Sequence, residues 1–223
     1  MKITGPEGCN PFYVVAVVDR FCIDKTSSAE LSLVINSMFR WYRNAAKCYC
    51  ITHFQLSDLS WESAFCRSRW FTRGWTLQEL LAPISAEFFS RQGIRLGDKE
   101  SLELQIQQIT GIPIQALRGD SLSQISVKKR LSWIVNRETT VEEDIIYSLF
   151  GIFDVHMPLI YGEGAIKALR RLGEEIEKSS NVNEPCKPAT SEHQITNLWS
   201  EMDPRGSTMP ASAAYDVALI CCR

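Results

Sequence analysis

The densest chemistry in the chain lies in one stretch, Ser68-Arg-Trp-Phe-Thr-Arg-Gly-Trp-Thr-Leu-Gln-Glu-Leu-Leu-Ala-Pro83. It gathers Arg69, Arg73, Trp70, Trp75 and Glu79. Trp75 and Glu79 are four residues apart, so on a helix they share one face. A carboxylate beside an indole suits acid–base work or the grip of a ribose, because apolar walls raise its pKa and strengthen its hydrogen bonds. The same residues also fit a plain ion pair, in which Glu79 and Arg69 or Arg73 tie a loop to the helix. On residue types alone that structural reading is favoured.

A second stretch runs from Trp133 to Gly164 and holds Arg137, the acidic run Glu142-Glu143-Asp144, and Tyr161-Gly-Glu-Gly164. The acidic run resembles a metal site only in composition. Glu142 and Glu143 are better placed in the first turn of a helix, where carboxylates favour the positive end of the dipole. Tyr161 to Gly164, with Gly162 and Glu163 between, reads as a turn into a last helix. It is too short to cradle a phosphate, and the chain has no Gly-Lys-Ser/Thr, G-x-G-x-x-G, G-x-S-x-G or H-E-x-x-H. There are 8 cysteines and 3 histidines, with no Cys-x-x-Cys pair. Cys48 and Cys50 alternate onto one strand face, with His53 the one nearby ligand type, so no metal site is expected. Cys22, Cys48 and Cys50 read as small buried apolar residues in a reducing compartment.

Elements must position these residues. Phe12 to Val18 reads as a buried strand. A helix is expected from about Ser28 to Ala46, with Ser27 and Glu30 at capping-box spacing. Cys48 to Thr52 is a second strand, and strand, helix, strand predicts a parallel α/β unit. His53 to Arg69 reads as irregular, anchored by Trp61. A short helix covers Trp75 to Leu81 and stops before Pro83. Ala86 to Ser90 is a third strand. Further helices are predicted over Lys99 to Ile109, ending at Gly111, over Ser126 to Asn136, and from a Thr140/Glu143 capping box through Leu149 to Gly151. Gly164 to Lys178 is the last, with Ile166, Leu169, Leu172 and Ile176 inward. Residues 181 to 223 read as a flexible tail.

The chain has 223 residues, 45% apolar and 22% charged, with a net charge of −2. These values exclude wholesale disorder and give no argument for a nucleic acid or an anionic membrane as partner. Apolar runs fall far short of the roughly 20 residues that span a bilayer. The N-terminus carries no signal-peptide pattern, so a cytoplasmic protein is expected.

Four blocks, Phe21-Cys-Ile-Asp-Lys-Thr-Ser-Ser-Ala-Glu-Leu31, Ile35-Asn-Ser-Met-Phe-Arg-Trp-Tyr42, Arg73-Gly-Trp-Thr-Leu-Gln-Glu-Leu-Leu-Ala-Pro83 and Tyr161-Gly-Glu-Gly164, resemble the heterokaryon incompatibility (HET) domain of filamentous fungi. The resemblance covers residues 12 to 180. It leaves 1 to 11 unmatched, and it lacks the family's opening Ser-His-Thr-Trp-like strand, so the expectation is an N-terminally truncated domain. Asp19-Arg-Phe-Cys22 stands where the family has Asp-Thr-Cys-Cys. The resemblance implies an effector of non-self recognition and programmed cell death. It also implies self-association or another incompatibility protein as partner, with no required cofactor. Asp24, Lys25, Trp133, Arg137, Asp144, Tyr161, Gly162, Glu163 and Gly164 match the family pattern, with no role beyond capping and packing assigned.

Trp75-Thr-Leu-Gln-Glu79-Leu80 is also similar to the Trp-Cys-x-x-Glu-Leu motif of TIR domains, with Thr76 in place of Cys. That likeness implies NAD as a possible substrate and Glu79 as its catalytic carboxylate, with Trp75 matching the motif's Trp; the neighbouring Arg69 and Arg73 are candidates for support. The alternatives are a non-catalytic signalling module and an inactive truncated paralogue. The fold expected is α/β: a small, mainly parallel, TIR-like sheet flanked by helices, with a helical C-terminal subdomain.

Overall fold

A computed structural model describes residues 27–52 and 60–183. The strand expected at Phe12 to Val18, Asp24 and Lys25, and nearly all of the tail lie outside the described residues.

Helix α1 (Ser28–Asn44) starts where the sequence places it, because the Ser27 hydroxyl accepts the Glu30 N–H at 3.3 Å. Val34, Ile35, Met38, Phe39 and Tyr42 form its buried stripe. Strand β1 (Cys48–Thr52) buries Cys48, Cys50 and Thr52 on one face by simple alternation. Then comes α2 (Trp61–Cys66), in a segment the sequence reads as irregular. Six residues are too few to show a helical period. The signals are the Ser60 cap, which accepts the Ser63 N–H, and the wholly buried Phe65. A 3-10 turn (Arg69–Thr72) presents Trp70 and Phe71 to the core, and α3 (Thr76–Leu81) ends near Pro83 as expected.

Strand β2 (Ala86–Ser90) pairs parallel with β1, Cys48 opposite Ala86 and Cys50 opposite Phe88. Strand β3 (Arg95–Asp98) returns antiparallel to β2, so the three-stranded sheet is mixed, in the order β1-β2-β3. The sequence reading has no β3 because Arg-Leu-Gly-Asp lacks the β-branched run that marks a strand. The α/β class and the helical C-terminal part are as expected. That part comprises α4 (Glu103–Thr110), α5 (Ile114–Leu117), α6 (Val127–Leu131), α7 (Asp144–Tyr147), α8 (Phe150–Phe153) and α9 (Ala165–Asn183).

Three details differ from expectation. The helix predicted over Ser126 to Asn136 tightens into a 3-10 turn at Ser132–Ile134, which buries Trp133. The helix predicted through Gly151 is two short pieces, and its Thr140/Glu143 box is not formed, since α7 has no side-chain cap bond. On α9, Leu169, Leu172 and Ile176 are inward, but Ile166 is 56% exposed.

The core joins the two parts. Phe65 meets Phe71 and Phe88 edge to face at 5.1 and 5.3 Å, and Trp70 meets Phe88 at 5.4 Å, so the aromatic residues of α2 and the 3-10 turn seal one face of the sheet. On the helical side, Asn36 of α1 bonds both the N–H and the C=O of Met157. Gly151 lets α8 approach α1 closely, since a Cβ there would lie 2.0 Å from Phe39 Cβ. Gly151→Ala is therefore expected to cost on the order of 3 kcal/mol, read as a lower denaturant midpoint at unchanged slope.

Candidate functional site

The site is built from the first turn of α3 outward. Trp75 and Glu79 are half-buried, whereas Arg69 and Arg73 are exposed. The guanidinium buried in this region belongs to Arg137, only 4% exposed. Its Nη1 donates to Arg73 O at 2.7 Å and to Thr76 Oγ1 at 2.8 Å, and its Nε donates to Trp133 O at 3.1 Å. The Thr76 hydroxyl also lies 2.6 Å from Trp70 O. Two backbone bonds close the seam: Gly74 N–H to Glu138 O at 2.9 Å and Glu138 N–H to Thr72 O at 2.6 Å. Gly74 has no room for a side chain, since a Cβ would meet Thr139 at 2.5 Å. Burial pushes the Arg137 pKa down to about 10, and the negative charge of Glu79 opposes that shift. The two sequence stretches that carry the chemistry are therefore one structural unit.

The rest of α3 is held as firmly. Gln78 is fully buried and donates Nε2 to Ser148 O at 2.8 Å, while its Oε1 has no partner. Lys99, 5% exposed, donates Nζ to Leu80 O at 3.3 Å and to Pro83 O, so a cation meets one carbonyl of the helix's last turn and one just beyond its end. Burial pulls the Lys99 pKa down to about 8. Cys48 and Cys50 are buried free thiols with sulfurs 4.0 Å apart. The contact with Cys48 and burial push the Cys50 thiol up, which suits a core residue and not a nucleophile. Sequence reasoning missed Thr76, Gln78 and Lys99. A polar residue inside the apolar run Leu77-Gln-Glu-Leu-Leu81 was the signal available for Gln78.

A second cluster lies at the start of α9. Glu143, 2% exposed, accepts the Gly162 and Gly164 N–H groups on one oxygen, Oε1, at 2.7 and 2.9 Å. Glu142 Oε2 accepts the Ala165 N–H at 3.5 Å. These carboxylates thus serve the N-terminus of α9 and not that of their own helix, which corrects the sequence reading. The clue was a helix start, Gly-Glu-Gly-Ala, with no Ser, Thr, Asp or Asn to cap it. Tyr161 donates its hydroxyl to Asp144 at 3.0 Å, and burial and that carboxylate raise its pKa. Glu163 pairs with Arg171, and Tyr147 donates to Ile160 O at 3.0 Å. Asp144, Tyr161, Gly162, Glu163 and Gly164 thus form one latch between α7 and α9. Trp133 is buried with Nε1 unpartnered.

Comparison with curated proteins finds the vegetative incompatibility protein HET-E-1 of Podospora anserina. It is 60% identical over 168 residues, which is 72% of this chain and 12% of that protein. The chain belongs to the heterokaryon incompatibility family. The chain spans 12% of the length of the curated relative it matches. No family model matches it, and no solved structure matches it. Among its described residues no helix is long and apolar enough to cross a membrane.

The latch makes a pH-dependent prediction. Backbone N–H donors hold the Glu143 carboxyl below its usual 4.5 against the opposing effect of burial. Its contribution to stability is then present above about pH 4.5 and is lost as pH falls through the lower folded value. Glu143→Gln is expected to be less stable than wild type at pH 7 by about 1–2 kcal/mol. The gap should close as pH is lowered through that window in denaturation curves.

Proposed function

We propose that this domain is an effector of vegetative incompatibility that signals programmed cell death on non-self recognition, acting through self-association and hydrolysis of NAD. The incompatibility role is supported by the 60% identity to HET-E-1 over most of the chain. The catalytic role is supported by one observation: Glu79, the carboxylate of the TIR-like motif, is half-buried on a helix held at both ends by cations, Arg137 and Lys99.

In this reading water adds to C1′ of the nicotinamide ribose. The N-glycosidic bond breaks, nicotinamide leaves with the bonding electron pair, and ADP-ribose and a proton are released. Glu79 holds the ribose hydroxyls and stabilises the positive charge that develops on the sugar. Trp75, four residues back on the same face, supplies the apolar wall. Arg69 and Arg73, both exposed, are available to an anionic part of the substrate or to a second protomer. No cofactor beyond the substrate is invoked.

A second reading, a non-catalytic module that works by contacts alone, is favoured by the structural employment of several motif residues. Arg137 bonds backbone carbonyls, and Gly162 and Gly164 donate their N–H groups to the Glu143 carboxylate that caps a neighbouring helix. Glu79→Gln separates the two, because it keeps shape and removes charge. Purified chain at high concentration is expected to convert NAD to nicotinamide, followed by chromatography. The folded Glu79→Gln variant should be slower by on the order of 10²–10³-fold. Toxicity on expression that persists in a folded Glu79→Gln variant would sink the catalytic reading.

A further inference from the structure

The buried Arg137 guanidinium has one nitrogen that the fold does not use. Nε donates to Trp133 O, and Nη1 donates to Arg73 O and Thr76 Oγ1. Nη2 is buried and has no hydrogen-bond partner. An unpartnered buried donor on a cation is costly, and native proteins keep few of them. The negative charge of Glu79 acts on this same guanidinium, opposing the lowering of its pKa by burial. Thr76, which Arg137 grips, and Glu79 are three residues apart on α3 and so are neighbours on its surface.

We propose that Arg137 is the positioning residue of Glu79, with Nη2 the donor against which the carboxylate is set when substrate is bound. This role rests on the reading of Glu79 as the catalytic carboxylate. The planar fork makes the arrangement achievable. Two nitrogens fix the guanidinium to the 73–76 turn and to Trp133, and the third remains for Glu79. Lysine has a single nitrogen and cannot serve all these partners. Arginine is therefore required for geometry as well as for charge.

The test uses the full chain with NAD as probe and four proteins beside wild type: R137K, E79Q, the double variant, and Ile106→Ala. The last truncates a fully buried residue of α4 and controls for lost stability alone. R137K is expected to lower kcat per folded molecule by roughly 10²-fold with KM changed far less, since misplacing a catalytic group acts on the chemical step. Ile106→Ala should leave kcat per folded molecule close to wild type. The melting-temperature losses of E79Q and R137K should fall short of additive in the double variant by roughly 2–4 °C. An R137K activity loss no greater than that of Ile106→Ala overturns the proposal, and so do additive melting shifts. If wild type leaves NAD intact, the catalytic reading of Glu79 fails on its own. Non-additive shifts would then still support the pairing of Arg137 with Glu79, and additive shifts would overturn it.

Discussion

A guanidinium taken out of water must be met by acceptors, and Arg137 sets the terms for the domain around it. Its acceptors are the Arg73 carbonyl, the Thr76 hydroxyl and the Trp133 carbonyl. They come from two stretches about sixty residues apart in the chain, joined side by side by the backbone bonds of Gly74 and Glu138. Neither stretch can move without stranding a buried charge, a cost of several kcal/mol. Gly74 is small for the same reason: the strands of the seam touch there.

From that seam the rest follows in order. Arg137 and Thr76 fix the start of α3, and Lys99 bonds the Leu80 carbonyl in its last turn. Gln78 ties its middle to Ser148 at the end of α7. A six-residue helix has little stability of its own, so these tertiary bonds make it rigid. Glu79 therefore stands on a short element whose position is set by its neighbours, the kind of support a preorganised carboxylate requires. The Glu143 latch extends the same frame through α7 to α9. The blocks that carry the family resemblance, where described, are thus parts of one connected frame.

Much of this was legible in the sequence, and the limits have physical causes. Helix α1, strands β1 and β2, and α3 announce themselves through Ser27, through alternation at Cys48 to Thr52, and through Pro83. Their determinants are local. The missed features depend on partners far along the chain. Arg137 matched the family pattern with no role assigned beyond capping and packing, and no local pattern shows that two of its acceptors lie near residue 75. The acidic run looked like a cap for its own helix, whereas Glu143 reaches across to Gly162 and Gly164. Strand β3 exists because β2 offers it an edge, not because Arg-Leu-Gly-Asp favours a strand. Glu79 was singled out by its spacing beside Trp75, with Arg69 and Arg73 as its expected ion-pair partners; both of these are exposed, and the buried cation beside α3 is Arg137.

The central claim is that the Arg137 seam is a rigid unit carrying Glu79, and amide hydrogen exchange tests it most directly. The Gly74 and Glu138 amides should be protected to the level of the β1–β2 core amides, and should lose that protection together in a folded Arg137 variant. Fast exchange at Gly74 and Glu138 in the wild-type chain, with the sheet core still protected, would contradict the account.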